Sequence, residues 1–499
     1  MAGMLTDREL SELTPSELCP HRTPIPTQAV SSDEYYPPPQ NADQRAVEAR
    51  MLALADELGR HQGLSRRRFF QTASGMAAAY LAMNQVYGPL FEVSRAEAAT
   101  PEQAGARAAA LKDQFIMDMH THFLRDDTRL TGFVAMRAAV GRQGWNKALA
   151  EKEQTIEDLK FDNYKKEMFL DSDTKVALIS SAPSEIPQDW FLTNAQMAAA
   201  RQRVNAEAGS RRLFAHAIFT PGRPGWLDDL DAALALKPES AKGYTVGDNT
   251  HKDLSVHPWR MDDEKTTYKG YEKMLKAGIR NVCVHKGLFS HATARQYPRL
   301  EHYADVSDVA KAARDWPQLN FIIYHSAFRN ENPAAALAEF EKTGRLEWVT
   351  DLAEIPGKHG VTNVYGDLGQ IFASTLVAQP RVCAAILGTL IRGLGPERVV
   401  WGTDALWTGS PQWQIEGLRR LEIPEDMRKA HGFAALGPAT GPVKTAIFGD
   451  TNARLYNVDK ARLGAAIRQD TYSARKRQYE KAGADPSNLR YGYVNRQAG

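Results

Sequence analysis

Two histidines that stand one residue apart, His120 and His122, could hold a metal ion together. In an extended chain, residues i and i+2 point to the same side, so both imidazoles can face one ion. They follow Phe115–Met119, a short apolar run of the kind that forms a strand. Imidazole nitrogen is a ligand that zinc and related divalent ions take up readily. The pair therefore indicates a metal site at the end of a strand.

Three further strand-like runs end in residues of the same chemical kind, namely His285, His325 and Asp404. A core histidine that bonds only to backbone explains any one of them singly, but not the recurrence at four strand ends. Imidazole and carboxylate ligands suit Zn²⁺ first, with Mn²⁺, Co²⁺ or Fe²⁺ as alternatives. A catalytic site keeps one position open for water, whose pKa the metal lowers toward about 7. A carboxylate can take the proton of that water, and a histidine that is not a ligand can protonate or polarise the substrate.

The elements that must position these residues alternate along the chain. From residue 110 onward, short apolar runs rich in Val, Ile and Phe are separated by amphipathic, helix-like stretches, which is the pattern of parallel βα units. From the third run onward, each begins 30 to 43 residues after the one before it. The eight runs are Phe115–Met119, Val176–Ser180, Leu213–Phe219, Gly243–Val246, Asn281–Val284, Phe321–Tyr324, Val364–Leu368 and Val399–Trp401.

Eight βα units are the number that closes a (β/α)8 TIM barrel, and the active residues of such a barrel lie at the carboxyl ends of its strands. The span 110–458 is long enough for this α/β fold with insertions in its loops. The long first gap, which contains Trp145 and Tyr164, predicts a lid or cap. An open doubly wound sheet is the alternative fold. The turn after the first run, however, carries His120 and His122 where that fold has a glycine-rich phosphate loop.

Four sequence patterns together resemble the amidohydrolase-2 branch of the amidohydrolase superfamily, which includes aminocarboxymuconate-semialdehyde decarboxylase. They are the His-x-His start, the Pro-x-Leu-x-Phe-x-x-x-His pattern of Pro317–His325, the strand end Trp401–Asp404 and the closing segment Ile447–Tyr456, all within about residues 112–458. The resemblance implies a distorted (β/α)8 barrel of the metal-dependent hydrolase type with one divalent metal. By position, the implied ligands are His120, His122, His285 and Asp404. The resemblance also implies that His325 acts as acid/base or polarises the substrate, and that Asp404 deprotonates the metal-bound water.

Two departures from that branch bear on the reaction. Ser326 and Ala327 follow His325 where the decarboxylase has His-Gly-Gly, which argues against decarboxylation in particular. Relatives with two metals carry a carbamylated lysine on the fourth strand. The candidate here is Lys242, which stands at the start of its run, away from the expected rim. A single metal is therefore expected.

Four residues are candidates for contact with the substrate. Asp367 ends the seventh run and could bind substrate or cap a helix. Arg329 could hold a substrate carboxylate or form a surface ion pair, and Lys286 is a second candidate partner for a carboxylate. Trp407 could form a wall of the pocket or pack in the core. The other histidines of the barrel, expected in the core or in solvent, are His216, His251, His257, His291 and His302.

The pattern of ligands predicts a metal-dependent hydrolase, in which metal-activated water attacks the carbonyl of a small amide, ester or lactone. The alternative is a metal-dependent decarboxylase or hydratase of a small carboxylated substrate, in which His325 protonates the carbon that loses CO₂. This alternative needs a cationic partner for the carboxylate, such as Arg329 or Lys286. A barrel that only binds and does not catalyse is expected to lack some of the metal-ligand residues, and this sequence lacks none of them.

Composition and charge exclude several other classes of protein. The chain has 499 residues, of which 43% are hydrophobic and 24% charged, as in an ordinary soluble globular protein. A net charge of +2 gives no reason to expect nucleic acid as a partner. The three cysteines form neither a disulfide framework nor a CxxC zinc module. The expected partner is a small-molecule substrate, and the family resemblance makes a homo-oligomer the expected assembly.

An N-terminal segment resembles a twin-arginine export signal. Ser65–Phe69 reads Ser-Arg-Arg-x-Phe, a weakly apolar stretch follows, and Ala96–Ala98 could form a cleavage site. The apolar run Gly75–Met83 is too short for a stable membrane span. We therefore divide the chain into a disordered or extended lead (1–64), a signal (65–98), the barrel (110–458) and a basic tail (459–499). The expected location is the periplasm, reached through the twin-arginine machinery, or the cytoplasm if the signal is not used.

Overall fold

The computed structural model describes residues 23–27, 40–142, 155–329 and 332–484. Eight parallel strands follow one another around the sheet in sequence order. Backbone hydrogen bonds from Met119 N to Trp401 O (3.1 Å) and from Asp404 N to His120 O (2.8 Å) join the first strand to the segment after the last and close the barrel. The strands are β1 Met117–Thr121, β2 Val176–Ile179, β3 Leu213–Phe219, β4 Ser240–Tyr244, β5 Asn281–His285, β6 Asn320–Tyr324, β7 Val364–Asp367 and β8 Val399–Val400.

Helices surround this barrel and connect its strands, as the (β/α)8 architecture requires. The α-helices, in chain order, are α1 Ala42–His61, α2 Arg66–Phe70, α3 Ala73–Tyr87, α4 Arg95–Ala99, α5 Pro101–Leu111, α6 Thr131–Arg142, α7 Phe161–Lys165, α8 Asn194–Ala208, α9 Trp226–Ala235, α10 Thr267–Lys276, α11 His291–Gln296, α12 Glu301–Ala304, α13 Val309–Asp315, α14 Pro333–Thr343, α15 Val349–His359, α16 Ile371–Ala378, α17 Pro380–Leu394, α18 Gln412–Arg420, α19 Glu425–His431, α20 Pro442–Thr445, α21 Thr451–Leu455, α22 Lys460–Gln469 and α23 Thr471–Lys481.

The barrel confirms the fold predicted from the sequence, and seven of the eight strands overlap their apolar runs closely. The exception is β4, which begins at Ser240, three residues before the predicted run. Alternation along the strand turns Ala241 toward the helices, while Ser240, Lys242 and Tyr244 face the lumen. Polar residues on the lumen side therefore hid the start of this strand from a search for apolar runs.

Residues 65–98, which the sequence sets apart as a signal, pack on the barrel in the structure. The Ser65 side chain caps α2, and α3 buries Tyr80, whose hydroxyl donates to the Trp413 carbonyl of α18 at 2.5 Å. Phe91 and Leu421 form an antiparallel bridge next to α18. The segment is therefore part of the core of the described fold, while its use in export stays a prediction.

The lead and the tail also contain regular structure. Helix α1, within the lead predicted to be disordered or extended, begins with a capping box of Asn41 and Gln44. In the tail, α22 and α23 are held by an ion pair in which Arg212, just before β3, binds Asp470 with an Nε–Oδ2 distance of 2.7 Å. Cys19, the lid residue Trp145 and residues 485–499 lie outside the described residues. Every helix in the ranges that the structure describes is too short or too polar to cross a membrane.

Candidate metal centre

Three side chains at the carboxyl rim of the barrel present ligand atoms to one point. Oδ1 of Asp404 lies 3.3 Å from Nε2 of His120 and 3.2 Å from Nε2 of His122. Two atoms that each lie about 2.1 Å from one tetrahedral ion are roughly 3.4 Å apart, so these distances fit a shared divalent cation. The three residues are at most 3% exposed. The donor set and its burial therefore fit the metal that the sequence predicts.

The Nδ1 atom of each of these two imidazoles also has a hydrogen-bond partner. Nδ1 of His120 lies 2.9 Å from Oδ2 of Asp367, and Nδ1 of His122 lies 3.0 Å from the carbonyl oxygen of Ser180. Both contacts place the proton on Nδ1 and leave Nε2 as the ligand atom, which is how metal-binding histidines are commonly oriented. Asp367, predicted to contact substrate, thus supports a ligand in this structure.

His325 and His285 form the other half of the cluster. Nε2 of His325 lies 2.9 Å from Nδ1 of His285, and Nδ1 of His325 lies 2.9 Å from the Gly369 carbonyl oxygen. His325, His120 and Asp367 form a second group whose ligand atoms lie within 4.8 Å of one another. His285, predicted as a ligand, contacts the cluster through His325 and belongs to neither group of ligand atoms found among the described residues.

The backbone at three strand ends is unusual. His325 after β6, Gln370 after β7 and Asp404 after β8 all have positive φ angles near 60°, a conformation that non-glycine residues adopt rarely. Such strain persists only where the surrounding structure enforces it, and it concentrates at functional sites. Three such residues lie at the rim beside the cluster.

Two glycines make the close packing of this rim possible. A Cβ on Gly369 would lie 2.3 Å from Nδ1 of His120, and one on Gly402 would lie 2.2 Å from Oδ1 of Asp367. Asp118, two residues before His120 on β1, accepts from the backbone N and the hydroxyl of Thr403 at 3.0 and 2.5 Å. These contacts fix β8 against β1 and thereby set the position of the ligands.

Burial dominates the electrostatics of the cluster. Desolvation raises the pKa of Asp367 to about 8 and that of Asp118 to about 7. Desolvation, followed by the charge of Lys242, lowers the pKa of His120 well below its usual range. The imidazole is therefore neutral, which is the form that binds a metal.

Lys242 places a cation in the lumen beneath the cluster. Its ammonium lies 3.7 Å from the centroid of the Tyr324 ring and 4.8 Å from that of Tyr244. Each tyrosine ring packs in turn against a cluster histidine: Tyr324 against His120 at 3.9 Å and Tyr244 against His285 at 4.8 Å between centroids. Because β4 begins earlier than the apolar run, Lys242 lies at mid-strand, below the rim but closer to the cluster than the start of a strand would be.

The two cations predicted to bind a substrate carboxylate are engaged elsewhere. The Lys286 ammonium, fully buried, lies 2.9 Å from Oδ1 of Asp308. The Arg329 guanidinium binds Glu301 and Glu347, each at 2.9 Å. The structure does not bring either charge to the metal-ligand group, since both are neutralised by carboxylates on the outer side of the barrel wall.

Trp407 does lie beside the cluster. Its ring centroid is 6.4 Å from that of His122 and 5.3 Å from those of Phe133 and Phe191. This aromatic group forms an apolar wall next to His122, a predicted ligand. Trp407 therefore agrees with both interpretations of the sequence, because it packs in a core and also forms a wall beside the site.

Sequence reasoning missed four residues that build the site. Asp118 precedes His120 by two positions, but the register of β1 is irregular between Asp118 and Thr121, so strand alternation does not predict on which face it lies. Tyr324 ends β6 directly before His325, and Tyr244 ends β4. Ser180 ends its run and orients His122 through a backbone carbonyl, an atom that every residue type has. A wider search of strand ends would have found the two tyrosines, but neither Asp118 nor Ser180.

Comparisons with known proteins agree with this barrel. A family model described as "Amidohydrolase" (Amidohydro_2) matches residues 117–458, and no curated protein matches the chain. Three solved structures are similar over 69% of this chain. They are 5-carboxyvanillate decarboxylase of Sphingomonas paucimobilis (13% identity, 100% of that chain, TM-score 0.41), 2,6-dihydroxybenzoate decarboxylase of Rhizobium (15%, 99%, 0.37) and an amidohydrolase of Burkholderia multivorans (14%, 100%, 0.40).

Proposed function

The chain belongs to the amidohydrolase family, and from that premise we propose that it is a metal-dependent decarboxylase of a small carboxylated substrate. The reaction would convert R–COO⁻ and a proton into R–H and CO₂. The electron pair of the broken C–C bond stays on the substrate carbon, which takes the proton. The observation that carries this proposal is the buried cation of Lys242 beneath the histidine cluster.

A decarboxylase must bind a carboxylate, and Lys242 supplies positive charge where one is needed. The ammonium lies on two rings that contact His120 and His285, in a buried lumen where the exclusion of water strengthens its field. Lys286 and Arg329, the cations named from the sequence, are held by carboxylates. Lys242 lies on rings that contact two cluster histidines, so its charge would act on a substrate carboxylate through space.

The enclosure of the site supports the same reaction. His120, His122, His285, His325 and Asp404 are each at most 3% exposed. A substrate carboxylate in such a site gives up its hydration shell, and fixed charges take the place of water. Loss of CO₂ spreads the negative charge, so it proceeds more readily from a desolvated carboxylate. Attack by water gains nothing from this enclosure.

A divalent ion held by His120, His122 and Asp404 would act as a Lewis acid on a substrate oxygen. This donor set suits zinc first, and manganese, cobalt or iron as alternatives. Nδ1 of His325 points at the Gly369 carbonyl, so Nε2 is the atom that exchanges a proton. His285 Nδ1, 2.9 Å from it, supplies or receives that proton. His325 would give this proton to the substrate carbon when its contact with His285 opens, and His285 would act only by returning a proton to His325.

Hydrolysis of an amide, ester or lactone is the second candidate, and one contact favours it. Oδ1 of Asp404 lies within 3.3 Å of the Nε2 atoms of both His120 and His122, where a carboxylate could take a proton from water.

Export through the twin-arginine machinery and assembly into a homo-oligomer stay predictions.

A direct assay separates the two reactions. The purified chain, loaded with Zn²⁺ or Mn²⁺, is given a panel of aromatic and aliphatic acids, amides, esters and lactones. Isotopically labelled CO₂ is measured alongside released acid. We expect CO₂ from at least one acid and its loss in His325→Ala. Release of acid from an amide, ester or lactone with no CO₂ from any substrate would establish the hydrolase instead.

A further inference from the structure

Gln370 is fully buried at the carboxyl end of the barrel, and its side-chain amide has no hydrogen-bond partner. Neither Oε1 nor Nε2 finds a donor or acceptor among the residues that the structure describes. A buried amide without partners destabilises a fold, so native proteins keep few of them. The residue therefore needs an explanation beyond packing.

The position of Gln370 connects it to the cluster. It follows Gly369, whose carbonyl accepts from Nδ1 of His325 and whose N–H donates to Oδ2 of Asp367 at 2.9 Å. Its own backbone N lies 3.5 Å from the carbonyl oxygen of Thr403, the residue before Asp404. Gln370 thus lies between the end of β7, which is Asp367, and the segment after β8 that contains Asp404.

Ser180 repeats this arrangement on the other side of the rim. Its carbonyl oxygen orients His122, while its buried hydroxyl has no partner within the described ranges. Each of these two polar side chains is therefore next to a carbonyl that aims a cluster histidine. Two buried polar side chains beside two strand ends of the rim are therefore left without partners among the described residues.

We propose that Gln370 is a specificity-determining residue whose amide binds a neutral polar group of the substrate. An amide donates through Nε2 and accepts through Oε1, so its complement is a group that also does both, a hydroxyl or a carboxamide. The substrate class is then a carboxylated compound with such a second group, and the carboxylate itself is left to the metal and Lys242. This inference rests on the proposed decarboxylase function.

The test uses Gln370→Leu, which keeps the shape and removes both polar atoms. The probes are benzoate and the three monohydroxybenzoates, titrated calorimetrically into the Zn²⁺-loaded chain. We expect the wild type to bind one hydroxybenzoate about tenfold more tightly than benzoate. The variant should bind benzoate as before and lose that preference. Gln370→Glu, which turns the donor into an acceptor, should weaken the same hydroxybenzoate and leave benzoate binding less affected.

Stability gives an independent reading. The unfolding temperature of the ligand-free variant Gln370→Leu should stay the same or rise, because it removes unpaired buried atoms. Gln414→Leu is the matched control, since Gln414 is equally buried but donates to Thr408 Oγ1 at 2.9 Å, and its loss should lower that temperature.

The outcomes distinguish this inference from the proposed function. A preference that survives in Gln370→Leu, or a wild type that binds benzoate and the hydroxybenzoates equally, overturns the role of Gln370 and leaves the decarboxylase proposal intact. The amide would then bind an ordered water. A wild type that holds no metal and binds no probe counts against both.

Discussion

The ammonium of Lys242 lies 3.7 Å from the centroid of the Tyr324 ring. The same ring packs at 3.9 Å against His120, and its hydroxyl donates to the Met119 carbonyl at 2.5 Å. One aromatic ring, that of Tyr324, therefore lies between the Lys242 ammonium and His120, a predicted metal ligand. The charge affects the site through space, while the tyrosine is held by β1 and contributes no charge of its own.

Replacing Lys242 by Met should change metal binding and catalysis in opposite directions. Removal of a like charge should strengthen the affinity for Zn²⁺ by about tenfold, because Coulomb repulsion in a protein interior remains strong at this range. Turnover of a carboxylated substrate should fall by at least about tenfold, because the carboxylate loses its cation. Chelator competition measures the first and CO₂ release the second. Lys242→Arg keeps the charge and should restore weaker metal binding. Equal affinities in all three proteins would contradict the electrostatic account.

Metal content should depend on the residues that share the ligand point. Asp404→Asn preserves shape but removes the anionic ligand, and His120→Ala removes an imidazole. Both should reduce bound zinc from about one ion per chain to below about a tenth of that. Elemental analysis after dialysis measures this. His302→Ala, an exposed histidine distant in sequence from the ligands, is the control and should keep its metal. Full metal occupancy in Asp404→Asn would show that the ion binds elsewhere.

Asp367 should matter through His120. The carboxylate orients the imidazole from its far side, so Asp367→Asn should weaken metal affinity by about 10- to 100-fold and leave the ligands themselves in place. A titration with a fluorescent zinc chelator measures the shift. The effect should be smaller than that of Asp404→Asn. Unchanged affinity together with a raised KM would instead support the substrate contact that the sequence predicted.

Much of this barrel could be predicted because its strands have a strong chemical pattern. Strands such as β2 (VALI), β6 (NFIIY) and β8 (VV) are short runs rich in Val, Ile and Phe, as expected for a parallel sheet buried on both faces. The rim residues His120, His122, His325 and Asp404 could be found because strand ends of such a barrel converge by topology alone. Topology does not determine which side chains at the rim contact one another, so the contact between His285 and His325 could not be predicted.

The misplaced residues share one physical cause. Lys242 lies on β4 and Lys286 directly follows the neighbouring β5, and the one-residue alternation of the chain decides which of these buried lysines faces the lumen. Because the predicted start of β4 was three residues too late, Lys242 was expected at the start of its strand and not at its middle, beneath the histidines. The helices of residues 65–98 were missed for another reason: a weakly apolar, Ala-rich helix looks the same whether a translocase or a barrel covers it.

The docking of that N-terminal segment can be tested at a single hydroxyl. Tyr80 donates to the Trp413 carbonyl at 2.5 Å in a fully buried contact. Tyr80→Phe removes a buried hydrogen bond to a carbonyl of α18 and should lower the free energy of unfolding by about 1 kcal/mol. Urea unfolding measures it. Tyr87→Phe is the control, because its hydroxyl makes a longer bond of 3.3 Å to Ala378 O from a half-buried position and should cost less. If both substitutions changed the free energy of unfolding by the same negligible amount, residues 65–98 would not pack on the barrel in solution.

The C-terminal helices should make stability depend on pH through Asp470. Burial raises the pKa of this carboxyl, but the bidentate guanidinium of Arg212 outweighs burial and leaves the pKa below its usual value. A carboxyl whose folded pKa is depressed stabilises the fold above its unfolded pKa of about 3.9, and this stabilisation is lost as the pH falls toward the folded value.

Asp470→Asn should therefore lower the free energy of unfolding at pH 7 by about 3–5 kcal/mol, because it leaves the buried Arg212 unpaired. The difference between wild type and variant should stay constant from pH 7 to about pH 5 and shrink below about pH 4, where the wild-type carboxyl also becomes neutral. Urea unfolding across this range measures the difference. Asp426→Asn removes an exposed pair with Arg381 and should change stability by less than about 1 kcal/mol. A difference for Asp470→Asn that persists unchanged at pH 3 would mean that the carboxyl contributes through packing and not through its charge.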